Sequence, residues 1–217
     1  MISSHLGRLR HIASITVIAA AVVVGGAVPT TAQSPSPASS PAATQAVDPS
    51  IPHDVPDLEA LFPDAIDGTT LFKLSMGRPT LEALGDASLG DFDALVAALG
   101  IERGDLELAV ANDPTSAAFN FLAFRAAGIT GEQLVEAYET LVPQSEVDAV
   151  AQRIPVGDQE VVWVSMPNNP IPNLWFWAQG DTLVGIQAAD QATFQRLYAL
   201  LPPTVSASPA ASPSAAL

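Results

Sequence analysis

The sequence contains no cysteine. No disulfide can form, so the stability of the folded chain must come from its core alone. The same absence excludes a cysteine nucleophile and any zinc site built on thiolates. The chain therefore lacks the chemistry that most often marks small exported domains and thiol enzymes.

Histidine and lysine are almost as scarce. Two of the three histidines, His5 and His11, lie near the start of the chain, and His53 lies in a proline-rich stretch, so the predicted domain has none. This excludes a Ser-His-Asp triad and histidine-ligated metals in the domain. The single lysine, Lys73, could pair with Ser75 on one strand face. A lysine stem lying along a solvated face explains it with fewer assumptions.

Basic residues are few overall. Eight Lys and Arg stand against 23 Asp and Glu, for a net charge of −15. Without residues 1–32, which hold Arg8 and Arg10 and no acid, six cations and 23 acids leave −17. Nucleic-acid binding needs clustered cations, and an anionic membrane surface would repel this chain. We therefore expect no nucleic-acid partner and no binding to anionic membranes.

Residues 1–32 have the pattern of a secretory signal peptide. Arg8 and Arg10 precede an apolar run from Ile12 to Val28, and small residues follow at 30–32. The run is short for a membrane span, which takes roughly 20 apolar residues. The excess of Arg over Lys and the abundant Ala and Val suggest a GC-rich bacterial genome. We expect a secreted bacterial protein that is not integral to the membrane once the signal is removed; a retained anchor is the alternative.

Two further segments are predicted to be disordered. Residues 33–55 and 204–217 are rich in Pro, Ala and Ser and have no periodic apolar face. Such segments bury too little surface to offset the entropy of ordering them. The folded part is expected to be one domain over residues 56–203.

Apolar periodicity in that domain predicts an α+β fold. Short connections between strands favour an antiparallel sheet of about six or seven strands, with helices packed mainly on one face. A capping box at Thr130–Gln133 starts one helix, and Pro143 is expected to end it. Similar strand and helix endings in 56–143 and 143–203 suggest a duplicated βββα unit. Helices are predicted at 57–62, 92–99, 130–142 and up to Pro202, and strands at 69–76, 105–111, 117–126, 159–166 and on both sides of 180–181. Residues 147–154 fit either a helix capped by Ser145 or a strand, and we prefer the strand because the turn at 156–158 would lead it into 159–166.

The clearest local feature is a hairpin around the two-residue turn Gly180-Asp181. Its register would place Trp177 opposite Val184 and Trp175 opposite Ile186. Both faces of this hairpin are apolar, so the Trp face is either a second core layer or an exposed surface for a ligand or partner. The proline-rich loop from Met166 to Asn173 would lie beside it. The candidate binding residues are Trp163, Trp175, Trp177, Asn168 and Asn169.

A metal site made of oxygen ligands is the last kind of site to consider. Asp86, Ser88, Asp91 and Asp93 could face a calcium ion, but their spacing is not that of an EF-hand, and helix capping explains them. We expect no catalytic residue, metal or cofactor.

Three functions remain open. The leading hypothesis is a non-enzymatic exported bacterial domain that binds a protein partner or an apolar ligand through the Trp face and the proline loop. The alternatives are a carboxylate-dependent extracellular hydrolase and a purely structural envelope module. The oligomeric state stays open.

Overall fold

The computed structural model describes residues 51–84 and 91–202. The predicted signal peptide, residues 33–50 of the predicted linker and the predicted tail lie outside these ranges, as do Asp86 and Ser88. The helices are α1 (Pro56–Glu59), α2 (Arg78–Ala83), α3 (Asp91–Leu99), α4 (Gly131–Ser145) and α5 (Gln191–Tyr198). The strands are β1 (Ala65–Ile66), β2 (Thr69–Thr70), β3 (Phe72–Met76), β4 (Leu106–Asn112), β5 (Phe119–Ala126), β6 (Val150–Val156), β7 (Gln159–Ser165), β8 (Asn173–Gln179) and β9 (Thr182–Ala188).

Seven of the strands form one sheet in the order β3-β4-β5-β9-β8-β7-β6. Every neighbouring pair in it is antiparallel. The predicted α+β fold with an antiparallel sheet of six or seven strands is confirmed. β1 and β2 form a separate small hairpin.

Apolar layers cover both faces of this sheet. On one face, α2, α3 and α4 pack against side chains such as Phe124 and Phe176. On the other, α1 and α5 pack against Phe121, Trp175 and Trp177. The prediction that helices lie mainly on one face holds for three helices, and two cover the opposite face. A second layer is needed because the central strands are apolar on both sides, and neither side can be left in water.

Helix α4 begins where the sequence predicts but ends later. The Thr130 Oγ1 accepts a hydrogen bond from the Gln133 backbone N–H, and the Gln133 Oε1 accepts one from the Thr130 backbone N–H. Pro143 was expected to end the helix, and this is wrong, because the helix continues to Ser145. Pro143 has no N–H, so the one hydrogen bond that is lost is the bond to the Glu139 carbonyl. The last turn still forms because the Glu146 N–H donates to the Val142 carbonyl.

The duplicated βββα unit is not confirmed. From the centre of the sheet outward, the strands run β5-β4-β3 on one side and β9-β8-β7 on the other, which is the arrangement that two copies of one unit would give. However, α4 and α5, the helices that follow β5 and β9, pack on opposite faces. The two-fold axis that relates adjacent antiparallel strands is perpendicular to the sheet and would keep both helices on one face.

The end of the predicted linker packs against the domain. Ser75 in β3 donates its N–H to the Pro52 carbonyl over 3.0 Å and accepts from the Asp54 N–H over 3.3 Å. Val55 is buried. His53, assigned to the linker, lies beside α1 with its Nδ1 2.8 Å from the Glu59 Oε1. The folded part thus includes one histidine, and its chain covers the β3 edge of the sheet at Ser75.

Candidate functional site

Trp175 and Trp177 lie inside the protein. The register of the β8–β9 hairpin is as predicted, with Trp175 opposite Ile186 and Trp177 opposite Val184. The two indoles are 2% and 1% exposed, respectively. Helix α5 covers them and contributes an aromatic ring to each. Of the two roles that the sequence leaves open for this face, the burial matches a core layer.

The contacts beneath α5 explain that burial. The Trp175 ring is stacked on Phe194 with centroids 4.6 Å apart, and the Trp177 and Tyr198 rings form a T-shaped pair with centroids 5.1 Å apart. Burial raises the pKa of the Tyr198 phenol above its ordinary value. The Trp177 Nε1 is buried without a hydrogen-bond partner among the described residues. A ligand could reach these two indoles only if α5 moved.

Trp163 occupies a more accessible position. It is half-buried, and its Nε1 donates to the Asn173 Oδ1 over 3.2 Å. Within the sheet it lies between Trp175 on β8 and Gln152 on β6. Since cross-strand partners share one face, Trp163 lies on the Trp face, one strand from the end of the sheet.

Asn168 bonds the proline loop to the segment before β6, and Asn169 bonds it to β9. The exposed Asn168 side chain donates to the Val147 carbonyl over 3.1 Å. The half-buried Asn169 accepts through Oδ1 from Gln187 at 3.2 Å and from the Ile171 N–H at 3.1 Å. Trp163 and Asn168 thus lie at the β6 end of the sheet, away from the interior indoles.

Strand β6 is the last strand of the sheet and pairs only with β7 in the described part of the chain. Its two-residue turn, Gly157-Asp158, makes Val156 and Gln159 a hydrogen-bonded closing pair. Peptide groups alternate in direction from there, so those of Ala151, Arg153 and Pro155 point away from the sheet. The outward side of β6 therefore offers two N–H donors and a row of carbonyls.

Exposed apolar side chains accompany these peptide groups. Val147 and Val150 are 54% and 59% exposed, and they are two of the four exposed large hydrophobic residues in the described ranges. We call β6 residues 150–154, together with Val147, the open edge. It contains no carboxylate, although the chain as a whole is acidic.

The single charge on the open edge is already paired. Arg153 bonds through Nη2 to Glu139 at 2.6 Å and through Nη1 to Glu160 at 2.7 Å. The hydrogen bonds that Arg153 donates to Glu139, and then those to Glu160, raise the pKa of Arg153 above its ordinary value. Arg153 is thereby held toward α4 and leaves its own backbone N–H and carbonyl uncovered.

A cleft of about 750 Å³ opens elsewhere on the molecule, lined by Arg78, Arg125, Asp105 and Glu107, the 126–130 loop and the β8–β9 turn. Its charged groups bond to one another. Arg78 is 2.6 Å from Asp105, and Arg125 is 2.6 Å from Glu107. An incoming ligand would have to break these pairs, which makes the cleft a weaker candidate than the open edge.

Lys73 and Ser75, the one catalytic pair that the sequence made conceivable, are each engaged elsewhere. Ser75 is buried and its Oγ accepts from the Val55 N–H at 2.8 Å. The Lys73 Nζ is bonded to the Phe62 carbonyl at 2.8 Å and to Asp64 at 2.7 Å. Several carboxyl groups have a pKa clearly below its ordinary value, chiefly because of hydrogen bonds, whereas a general acid needs a raised pKa. They are Asp54, Asp57, Asp64, Asp113 and Asp190.

Of the four candidate calcium ligands, Asp86 and Ser88 lie outside the described ranges. Asp93 is described, and Arg103 bonds to it at 2.6 Å. Within residues 51–84 and 91–202, no group of three or more His, Cys, Asp or Glu could hold a metal ion.

No protein-family model, curated protein or solved structure matches this chain. Each helix in the described ranges is too short or too polar to cross a bilayer. Function therefore has to be inferred from the geometry of the chain itself.

Proposed function

We propose that this chain is a non-enzymatic binding module, exported by a bacterium, that takes a protein partner by strand addition at the open edge. The observation that carries the proposal is the outward row of peptide groups on β6 beside two exposed valines. In strand addition, main-chain hydrogen bonds supply affinity and alternate side chains supply specificity. The predicted signal peptide supports export.

The open edge is favoured over the buried Trp face because it needs no rearrangement. An apolar ligand at Trp175 and Trp177 would have to displace α5 and its ring contacts. A strand can approach β6 directly. Trp163 and Asn168 from the original candidate set lie beside that approach, on β7 and in the proline loop.

Local chemistry also limits how a partner can bind. Pro155 has no N–H, so the donors on the outward side are those of Ala151 and Arg153. Proline and charge on an edge strand are common protections against uncontrolled pairing. A partner strand is thus confined to a short stretch around Gln152.

A hydrolase has less support. The acids of the large cleft, Asp105 and Glu107, are bonded to Arg78 and Arg125. The clearly shifted carboxyl groups Asp54, Asp57, Asp64, Asp113 and Asp190 all have lowered pKa values. Binding therefore accounts for the geometry better than acid catalysis.

Photo-cross-linking in the producing organism tests the proposal. A photoreactive amino acid is placed at Val150 of the full-length chain, and the matched control carries it at Gln195, which is exposed on α5. We expect a cross-linked protein product from position 150 and none from 195. Adding Ala151→Pro, which removes an outward N–H, should abolish the product. Equal products from both positions, or none from 150, would contradict a binding edge.

A further inference from the structure

We infer that the partner at the open edge is a second copy of this chain, paired antiparallel through β6 about a two-fold axis at Gln152. The inference rests on the proposed function, since it names the partner of the same surface. It is carried by the self-complementarity of the strand, because its two outward donors, the N–H groups of Ala151 and Arg153, lie symmetrically about Gln152.

Backbone geometry selects this register. With Gln152 on the axis, Ala151 of each copy lies opposite Arg153 of the other. These are the two outward residues that retain an N–H. Each such pair exchanges two hydrogen bonds, so the two pairs satisfy both outward donors of both copies. The dimer sheet would then be continuous, and its interface isologous.

The pairing of side chains also favours a two-fold axis at Gln152. Val150 of one copy falls opposite Ile154 of the other, on the face that also carries Trp163. The exposed Val150 would therefore lose contact with water on pairing. A register centred on Arg153 would set two guanidinium groups directly opposite each other, which is destabilising.

Charge and edge protection indicate a closed pair. The open edge has no carboxylate, and each Arg153 keeps its own partners, Glu139 and Glu160, so little like-charge repulsion arises at the axis. At the opposite end of the sheet, the chain from Pro52 to Asp54 covers β3 at Ser75. Growth of a longer array from that edge is hindered, and assembly stops at two copies.

Affinity should be modest. Five paired residues bury less than the roughly 1,200 Å² of a standard interface. The two acidic copies also repel one another over long range. We therefore expect a dimer that dissociates on dilution and is strengthened by added salt, which screens that repulsion.

Directed disulfide formation tests the register, and the absence of native cysteine makes the assay clean. In the paired strands, residue 152 of each copy forms a non-hydrogen-bonded pair with Cα atoms about 4.5 Å apart, within disulfide range. Gln152→Cys in the full chain should give a covalent dimer on mild oxidation. The matched control is Val150→Cys, on the same face and strand, whose two copies would lie about 13 Å apart along the strands. Equal linking at 150 and 152, or none at 152, would overturn the inference.

Sedimentation equilibrium measures the association without a cross-link. We expect a reversible dimer of the wild-type chain. Ala151→Pro removes one interface hydrogen bond from each copy and should lower the association constant by about tenfold or more. Gln152→Lys, a surface change with little effect on the thermal midpoint, should lower it by several-fold through like-charge contact. A wild-type chain that stays monomeric at the highest soluble concentration would overturn the inference.

The two proposals fail differently. A photo-cross-link from position 150 to a different protein, with a monomeric wild-type chain, overturns the second-copy inference and leaves the binding edge intact. No cross-link from position 150 to any protein overturns both.

Discussion

Trp175 and Phe194 are stacked with ring centroids 4.6 Å apart and planes inclined by 11°. The pair joins β8 to α5 and places an aromatic layer between the sheet and the last helix. Phe194 is 1% exposed. The contact explains why the tryptophans that stand out in the sequence are part of the core.

Phe194→Ala should lower the free energy of unfolding by about 3–5 kcal/mol, because it removes a buried ring and leaves a cavity beside Trp175. Urea denaturation measures the loss. Gln195→Ala, an exposed change on the same helix, should alter the value by no more than about 0.5 kcal/mol. A loss below about 1 kcal/mol at Phe194 would contradict tight packing of α5 on the Trp face.

Thr130→Ala should cost about 1 kcal/mol of stability, because the hydroxyl caps the first turn of α4 by accepting from the Gln133 N–H. Thermal or chemical denaturation measures it. Thr140→Ala is the matched control, since Thr140 is exposed on the same helix and bonds only to the Glu136 carbonyl. Equal losses at both threonines would argue against the capping role.

Gly131→Ala should be more disruptive than Gly185→Ala. A Cβ at position 131 would lie 2.8 Å from the carbonyl oxygens of Gly180 and Thr182, which belong to the backbone of the β8–β9 hairpin and cannot move alone. At position 185 the two closest atoms, at 2.6 and 3.0 Å, are the Cδ1 and Cγ of the Leu122 side chain, which can shift more easily than a backbone carbonyl. The denaturation midpoints of the two variants measure the difference. A milder effect at position 131 than at 185 would contradict the close docking of α4 on that hairpin.

Protonation of the Asp54 carboxylate should lower the stability of the fold in acid. The carboxylate accepts from the backbone N–H of Gly77 and Thr80 at the start of α2. Its pKa is lowered, chiefly by the side-chain hydrogen bond of Thr80 and then by the Gly77 N–H. A lowered pKa means that the stabilisation is fully present above the unfolded value of about 3.9 and is lost as pH falls through the lower folded value.

Thermal midpoints of wild type and Asp54→Asn between pH 7 and pH 2 test this. The wild type should be more stable at pH 7, and the gap should close in the acid range. Glu136→Gln, an exposed change on α4, is the control and should leave the midpoint nearly unchanged at neutral pH. A gap that is constant down to pH 2 would contradict the role of the Asp54 carboxylate.

Features set by neighbouring residues were predictable. The turn at Gly180-Asp181 fixes the register of β8 and β9, since a two-residue loop allows one pairing and a slip would invert every side chain. The capping box at Thr130 depends on residues only three positions apart. The strand preference for 147–154 was right in type, although β6 itself runs from Val150 to Val156.

Features that depend on distant partners were not predictable. The stretch from Pro52 to Val55 looks like linker because its composition is that of the residues before it. It is ordered by contacts with Ser75, about 20 residues away in sequence. Pro143 is a local exception: it was expected to end α4, but the helix continues to Ser145 because the Glu146 N–H still bonds to the Val142 carbonyl.

The sequence by itself determined the α+β class, the hairpin register, the excess of acid and the absence of thiol chemistry, because each follows from residue type, period 2 or 3.6, or a short turn. Only the tertiary structure decided that α5 buries Trp175 and Trp177 and that β6 ends the sheet with its peptide groups outward. An apolar strand face looks the same in sequence whether a helix or a partner covers it. Which one does is set by contacts between residues far apart in the chain.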